Sequence, residues 1–202
     1  MVNTPVTHSF YSKILGELNP IPIFLVFGIA AFLSFYYIKQ FDLYFISKSV
    51  SNKKLIFYFS ISIILGFMPV LIDLFITFPK DINILFPESI LFYPTIGVLA
   101  EIIFHLLPTT LLLFIFGFKI RNHPMLIIII IAAVEPFFQV FIGTGSSNIV
   151  LRDVLVFLEV FIFSVIQMRV FFKYGFLAMY ICRIGFYLTW HFLWGTIRLG
   201  II

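Results

Sequence analysis

Charged residues are scarce in this sequence of 202 residues, in which Asp, Glu, Lys and Arg together account for 11%. Soluble globular domains carry about a quarter of their residues as charged side chains. The sequence is instead 62% hydrophobic, contains 29 phenylalanines and has a mean hydropathy of +1.15. This balance excludes a water-soluble core and predicts an integral membrane protein surrounded by the lipid bilayer.

Cysteine is almost absent, and the basic residues form no continuous cluster. Cys182 is the only cysteine, which excludes an intrachain disulfide and a cysteine-based metal cluster. The formal net charge is +4, but the lysines and arginines are spread over short connections, which argues against nucleic acid as a partner. Residues 1–19 lack a signal-peptide pattern, and no small-residue cleavage site follows the apolar run from Ile21. The first apolar run is therefore expected to stay in the mature protein.

Six apolar runs are long enough to cross a membrane as helices. They cover 21–38, 55–78, 90–118, 124–143, 153–172 and 174–197. Because helices satisfy their own backbone in lipid, the sequence predicts an all-α, polytopic membrane bundle that forms one domain over 1–202. The third run is too long for a straight crossing at about 1.5 Å per residue, and Pro94 and Pro108 are expected to break it. Counts of seven or eight spans therefore remain open.

The distribution of basic residues predicts an orientation in the membrane. The connections at 39–54, 119–121 and 169–173 hold most of the lysines and arginines. By the positive-inside rule these connections lie in the cytoplasm. With six spans, both termini are then expected outside.

Seven polar residues recur at a spacing of four within three of the predicted spans. They are Glu101 and His105 on the third, Glu135 and Gln139 on the fourth, and Arg183, Tyr187 and His191 on the sixth. Residues four apart share one face of a helix, so each span carries a polar stripe. Ionisable groups in a span are costly and normally face the bundle interior at a functional site. We expect the three stripes to meet at similar depth in one shared cavity.

A purely structural interpretation of the polar residues is the alternative. Polar side chains also hold membrane helices together by hydrogen bonds and ion pairs. Glu159 is a candidate partner for Arg183, and Asp73 is expected at the membrane interface. Trp190 and Trp194 are expected to be interfacial anchors, since Trp favours that zone. The stretch "GTGSSN" lacks the lysine of a phosphate-binding loop and is interpreted as an exposed turn.

Three motifs resemble those of the CPBP family, which comprises type II CAAX prenyl endopeptidases and bacteriocin-processing or self-immunity proteins. The family carries E-E-x-x-x-R, then F-x-x-x-H, then H-x-x-x-N, each on a membrane helix. The corresponding stretches here are "AEIIFH" from Ala100, "EPFFQ" from Glu135, and "RIGFY" from Arg183 or "HFLWG" from His191. The resemblance covers about 90–197 and retains the order and spacing of the motifs. Of the two glutamates and the arginine in the first motif, only the second glutamate, Glu101, is present.

The resemblance implies an intramembrane endopeptidase that needs no metal and no other cofactor. A glutamate and a histidine would activate water, and polar groups of the last motif would stabilise the oxyanion. Because Gln139 stands where the family has its histidine, we expect a substitute arrangement. In it Glu101 or Glu135 is the general base, His105 or His191 is its partner, and Arg183 or Tyr187 stabilises negative charge. The implied substrate is a membrane-embedded or membrane-proximal peptide or protein, and the implied location is the bacterial plasma membrane.

Three other functions remain open at this point. The protein could be a proteolytically inactive relative that binds a peptide in bacteriocin self-immunity or binds another membrane protein. It could be a small transporter, for which buried glutamate and arginine are equally suitable. A zinc site built from His105, Glu135 and His191 is chemically reasonable, although their spacing matches no established zinc motif.

Overall fold

The fold comes from a computed structural model in which residues 20–46, 51–79, 82–84, 86–143 and 150–201 are described. Among these residues the regular secondary structure is entirely helical, without a strand, which confirms the predicted all-α class. The expectations for the segment 1–19 and for most of the turn "GTGSSN", from residue 144 on, concern parts of the chain outside these ranges.

Six helices in the described part of the chain are long and apolar enough to cross a membrane. These spans, numbered 1 to 6 in chain order, are Pro22–Phe41, Asn52–Phe75, Ser89–Phe116, Pro124–Phe141, Leu151–Tyr174 and Phe176–Leu199. Each lies close to a predicted apolar run, and the structure gives the lowest of the expected counts. The protein is therefore a multi-pass membrane protein, and its orientation stays a prediction.

Most spans consist of more than one helical segment. Span 1 is the α-helix Pro20–Ile38 followed by the 3₁₀ turn Lys39–Phe41, and span 2 joins Asn52–Leu65 to Phe67–Phe75. Spans 3, 4 and 6 begin with the α-helices Ser89–Glu101, Pro124–Ala132 and Phe176–Tyr187, and they continue through Leu107–Phe116, Val134–Phe137 and Gly195–Ile201. Span 5 is one uninterrupted helix, Leu151–Tyr174, and the short helix Phe118–Arg121 links spans 3 and 4. Pro94 lies inside the first helix of span 3 and does not end it, contrary to the expected break.

Three segments of the described chain have π-helical geometry, and each lies on a span with a predicted polar stripe. They are Ile102–Leu106, Phe138–Gly143 and Leu188–Trp194. The π-helix is rare and often marks a functional site. The three segments contain His105, Gln139 and His191, which are the last members of the three stripes. Each predicted polar stripe thus ends in a segment where the helix departs from α-helical geometry.

Spans 3 to 6 form a closed ring. Span 3 packs on span 4, span 4 on span 5, span 5 on span 6, and span 6 on span 3. Span 2 packs against spans 5 and 6 from outside, and span 1 packs against span 3. Within a stretch of 18 residues taken from each span, 56% of span 6 is buried inside the protein, compared with 17% of span 1 and 22% of span 2. Span 6 is therefore the central helix, and spans 1 and 2 present most of their surface to lipid.

Two glycines allow span 6 to lie close to span 2. A Cβ atom on Gly185 would lie 2.9 Å from the Phe59 carbonyl oxygen, and one on Gly66 would lie 2.7 Å from the Thr189 Cβ. Small residues let membrane helices approach and then exchange polar contacts. The Thr189 hydroxyl donates to the Ile63 carbonyl oxygen at 2.9 Å. This contact fixes the rotation of span 6, and hence the direction of its polar stripe.

Candidate functional site at the centre of the ring

Arg183 on span 6 joins the stripes of spans 3 and 4. Its Nε donates to Glu101 Oε1 at 2.5 Å, and its Nη1 and Nη2 donate to Glu135 Oε1 and Oε2 at 2.8 and 2.6 Å. The contact with Glu135 is bidentate, the strongest arrangement between a guanidinium and a carboxylate. All three residues are at most 3% exposed. One guanidinium therefore holds two carboxylates of different spans inside the ring.

Gln167 on span 5 completes the cluster and was missed by the sequence analysis. Its Nε2 donates to Glu101 Oε1, and its Oε1 accepts from Arg183 Nη2 at 3.3 Å. The side chain is fully buried. Gln167 has no polar residue four positions before or after it in the sequence. The only sequence feature that could have indicated a role for Gln167 was a polar amide side chain within an apolar span.

Glu101 and His105 form a close pair on span 3. His105 Nδ1 lies 2.8 Å from Glu101 Oε2, and His105 Nε2 lies 4.0 Å from Glu135 Oε2. Both side chains are fully buried. Apart from this contact, Glu101 Oε2 and both ring nitrogens of His105 have no hydrogen-bond partner within the described part of the chain. The pair therefore keeps hydrogen-bonding capacity for another molecule.

The other predicted site residues divide into two groups. Gln139 Nε2 donates to Glu135 Oε1 at 3.2 Å, and the Tyr187 hydroxyl lies 3.5 Å from Arg183 Nη1. His191 lies further along span 6 and reaches this cluster only through the Tyr187 ring, at 4.8 Å between ring centroids. Six of the seven predicted residues thus form one cluster, with His191 beside it. Whether they are catalytic stays a prediction.

Glu159 does not join the ion pairs of Arg183 found among the described residues, which are with Glu101 and Glu135. Glu159 is only 4% exposed, and its Oε1 has no hydrogen-bond partner in the described ranges. Glu159 is therefore a buried carboxyl group that, unlike those of Glu101 and Glu135, is not paired with Arg183.

The cluster is suited to moving a proton. Two carboxylates and one guanidinium leave a negative charge in a buried setting, where an uncompensated charge is costly. His105 lies between Glu101 and Glu135, with its ring nitrogens 2.8 and 4.0 Å from their carboxylate oxygens. A carboxylate and an imidazole in contact are a common acid/base pair.

The residues of the zinc alternative do not converge. Both oxygens of Glu135 are engaged by Arg183, and His191 Nδ1 lies 3.2 Å from Asn83 Nδ2 instead. Among the described residues, no group of three His, Cys, Asp or Glu side chains is arranged to hold a metal ion.

A second buried polar cluster lies at the end of span 6. Asp73 Oδ2 lies 2.8 Å from Arg198 Nε and accepts from Trp194 Nε1 at 2.7 Å. Its Oδ1 accepts from the Phe78 backbone N–H at 2.7 Å. Asp73 is 4% exposed and Trp190 is 5% exposed. Asp73 and Trp190 are therefore packed inside the protein, and the interfacial position of Asp73, Trp190 and Trp194 stays a prediction.

Comparison with known proteins gave no match. Models of protein families, curated proteins and solved structures were all without a match to this chain. The similarity to the CPBP family therefore rests on the three motifs alone, and the function must be argued from the site.

Proposed function

We propose that this protein is an intramembrane endopeptidase of CPBP type, in which Glu101 and His105 form the acid/base pair. The observation that carries the proposal is the 2.8 Å contact between Glu101 Oε2 and His105 Nδ1 in a fully buried setting. These two atoms and His105 Nε2 are free of other hydrogen bonds in the described ranges. They are the atoms that a hydrolytic water would use.

The neighbouring side chains suit the chemistry of peptide hydrolysis. Arg183 binds Glu101 through Oε1 and so fixes the carboxylate with Oε2 turned to His105. Glu101 takes a proton from water while the water oxygen attacks the peptide carbonyl carbon. The carbon–nitrogen bond then breaks, and the proton passes through His105 to the leaving amine. The developing negative charge would be stabilised by the positive charge of Arg183 and by the hydroxyl hydrogen of Tyr187, whose oxygen accepts from Arg183 Nη1 at 3.5 Å.

The three π-helical segments favour a functional site over simple packing. A structural ion pair needs no irregular backbone, whereas π-segments concentrate at sites of function. Here they contain His105, Gln139 and His191, one from each polar stripe. The proposed substrate is a membrane-embedded or membrane-proximal peptide, and the proposed location is the bacterial plasma membrane.

The test is cleavage by the purified protein in lipid nanodiscs. Membrane peptides from a bacterial membrane digest are incubated with the protein, and the products are identified by mass spectrometry. We expect a product set that disappears with Glu101→Gln and Glu135→Gln. Glu159→Gln is the matched control, because it also replaces the carboxyl group of a residue that is 4% exposed. Products that persist in both site variants would refute the mechanism.

A second candidate is a proteolytically inactive relative that binds a peptide. The observation in its favour is that Arg183 engages three of the four carboxylate oxygens of Glu101 and Glu135. Such a tightly paired cluster also suits a rigid binding site. In that case peptides from the same digest would be retained by the wild-type protein and released unchanged, and Glu101→Gln would weaken retention.

A further inference from the structure

His191 is held by groups that the sequence analysis did not connect with it. Its ring stacks on Tyr93 at 4.3 Å between centroids with an interplanar angle of 21°, and the Tyr187 ring meets it edge-on at 4.8 Å. Its Nδ1 lies 3.2 Å from Asn83 Nδ2. The two aromatic rings fix the plane of the imidazole, and Asn83 fixes its rotation within that plane.

Arg198 determines which way the Asn83 amide points. Arg198 Nη1 donates to Asn83 Oδ1 at 3.1 Å. A guanidinium has donors only, so the amide atom facing Arg198 is the oxygen and the atom facing His191 is the nitrogen. The amide nitrogen has no acceptor capacity, so His191 Nδ1 must accept its hydrogen. The ring hydrogen of a neutral His191 then resides on Nε2.

Arg198 is itself fixed on several sides. Its Nε lies 2.8 Å from Asp73 Oδ2, its Nη1 donates to the Pro79 carbonyl oxygen at 3.1 Å, and its Nη2 donates to the Phe78 carbonyl oxygen. The side chain is 1% exposed. Three donated hydrogen bonds and the close carboxylate of Asp73 together restrict the position of the guanidinium. The series Asp73, Arg198, Asn83, His191 is therefore a continuous line of polar contacts.

Gly195 provides the space for this arrangement. A Cβ atom on Gly195 would lie 2.8 Å from Asn83 Nδ2 and 3.1 Å from Asn83 Cγ. Both distances are shorter than ordinary van der Waals contact. Any larger residue would push the Asn83 amide away from its present place beside His191.

We infer that Asn83 and Arg198 are positioning residues that hold His191 in the Nε2–H tautomer. This makes His191 a hydrogen-bond donor through Nε2. The chemical group it suits is an acceptor such as a peptide carbonyl oxygen. That this acceptor belongs to a peptide rests on the proposed function, whereas the tautomer does not.

The test is ¹⁵N NMR of protein labelled in its histidine rings and reconstituted in lipid nanodiscs. Spectra are recorded at a pH of about 8, above the ordinary range of histidine titration. The His191 signals are assigned by their loss in His191→Gln. We expect a protonated Nε2 and an unprotonated Nδ1. A His191 ring with its hydrogen on Nδ1 in the wild-type protein would overturn the inference.

Variants separate positioning from simple packing. Asn83→Asp places an acceptor-only carboxylate beside Nδ1, so we expect a hydrogen to appear on Nδ1. Gly195→Ala should weaken the wild-type pattern by displacing Asn83, and Arg198→Lys, which keeps a donor, should retain it better than Arg198→Gln. Thr196→Val, which removes an exposed hydroxyl bonded to the Phe192 carbonyl oxygen, is the control that leaves the pattern unchanged. An unchanged pattern in Asn83→Asp would contradict the inference.

The NMR readout is independent of peptide cleavage. If the wild-type tautomer is as expected and no peptide is cleaved, the proposed function fails while the positioning of His191 stands. If cleavage depends on Glu101 but the ring hydrogen lies on Nδ1, the positioning fails while the proposed function stands.

Discussion

Replacing Arg183 by glutamine should destabilise the protein more than the loss of any exposed arginine. The substitution removes the guanidinium that joins Glu101 and Glu135 and leaves their carboxylates facing each other inside the ring. Glutamine is shorter and uncharged, so it cannot restore the bidentate contact with Glu135. The variant should therefore lower the free energy of unfolding.

The size of the effect follows from the contacts that are lost. Removing one partner of a buried ion pair costs about 3–5 kcal/mol. Interhelical hydrogen bonds in membranes average about 0.6 kcal/mol each, so the three bonds from Arg183 to carboxylates set a lower limit of about 2 kcal/mol. We expect a loss of about 2–5 kcal/mol within these limits.

The assay is reversible unfolding in bicelles by SDS, followed by circular dichroism. Arg169→Gln on span 5 is the matched control, because Arg169 is exposed and its contact with Met125 Sδ is at 3.9 Å. Its effect should stay within about 0.5 kcal/mol. Adding Glu135→Gln to Arg183→Gln removes one unpaired carboxylate charge and should recover at least about 1 kcal/mol. Equal stability of Arg183→Gln and Arg169→Gln would refute the buried cluster.

Three further predictions concern the ring and its orientation. Gln167→Leu should lower the free energy of unfolding by about 1–3 kcal/mol in the same assay, because Glu101 and Arg183 lose a buried partner; an unchanged stability would contradict the assigned contacts. Cys182 is fully buried on span 6, so maleimide should label it in SDS and not in nanodiscs, and labelling of the folded protein would contradict the central position of that span. A cysteine at Ser51, placed in a Cys182→Ser background, should react in intact cells only with a membrane-permeant reagent, and reaction with an impermeant one would reverse the predicted orientation.

Hydropathy was sufficient to predict the fold class and the spans. A membrane-crossing helix must be long and apolar, so its limits are visible in the sequence. The run predicted at 55–78 corresponds to Asn52–Phe75, and the run at 174–197 corresponds to Phe176–Leu199. The order of packing around the ring was not predictable in this way, because it depends on close approaches such as that of Gly185 to span 2.

The spacing of polar residues predicted part of the site. A spacing of four places Glu101 beside His105 whatever the rest of the fold does. Gln167, by contrast, becomes part of the cluster only through the packing of span 5 against its neighbours. The contact of Asp73 with Arg198 was not predicted for the same reason: Arg198 lies 125 positions later in the sequence, and only the tertiary fold brings the two together.

The most direct test of the account is the single-turnover rate of peptide cleavage by Glu101→Gln relative to Glu159→Gln. Both variants replace a buried carboxylate by an amide of the same size, but only Glu101 contacts His105 and Arg183. Loss of a general base lowers the rate by about 10²–10⁴-fold. The account predicts a loss of this order for Glu101→Gln and a rate within about twofold of wild type for Glu159→Gln. Equal rates in the two variants would contradict it.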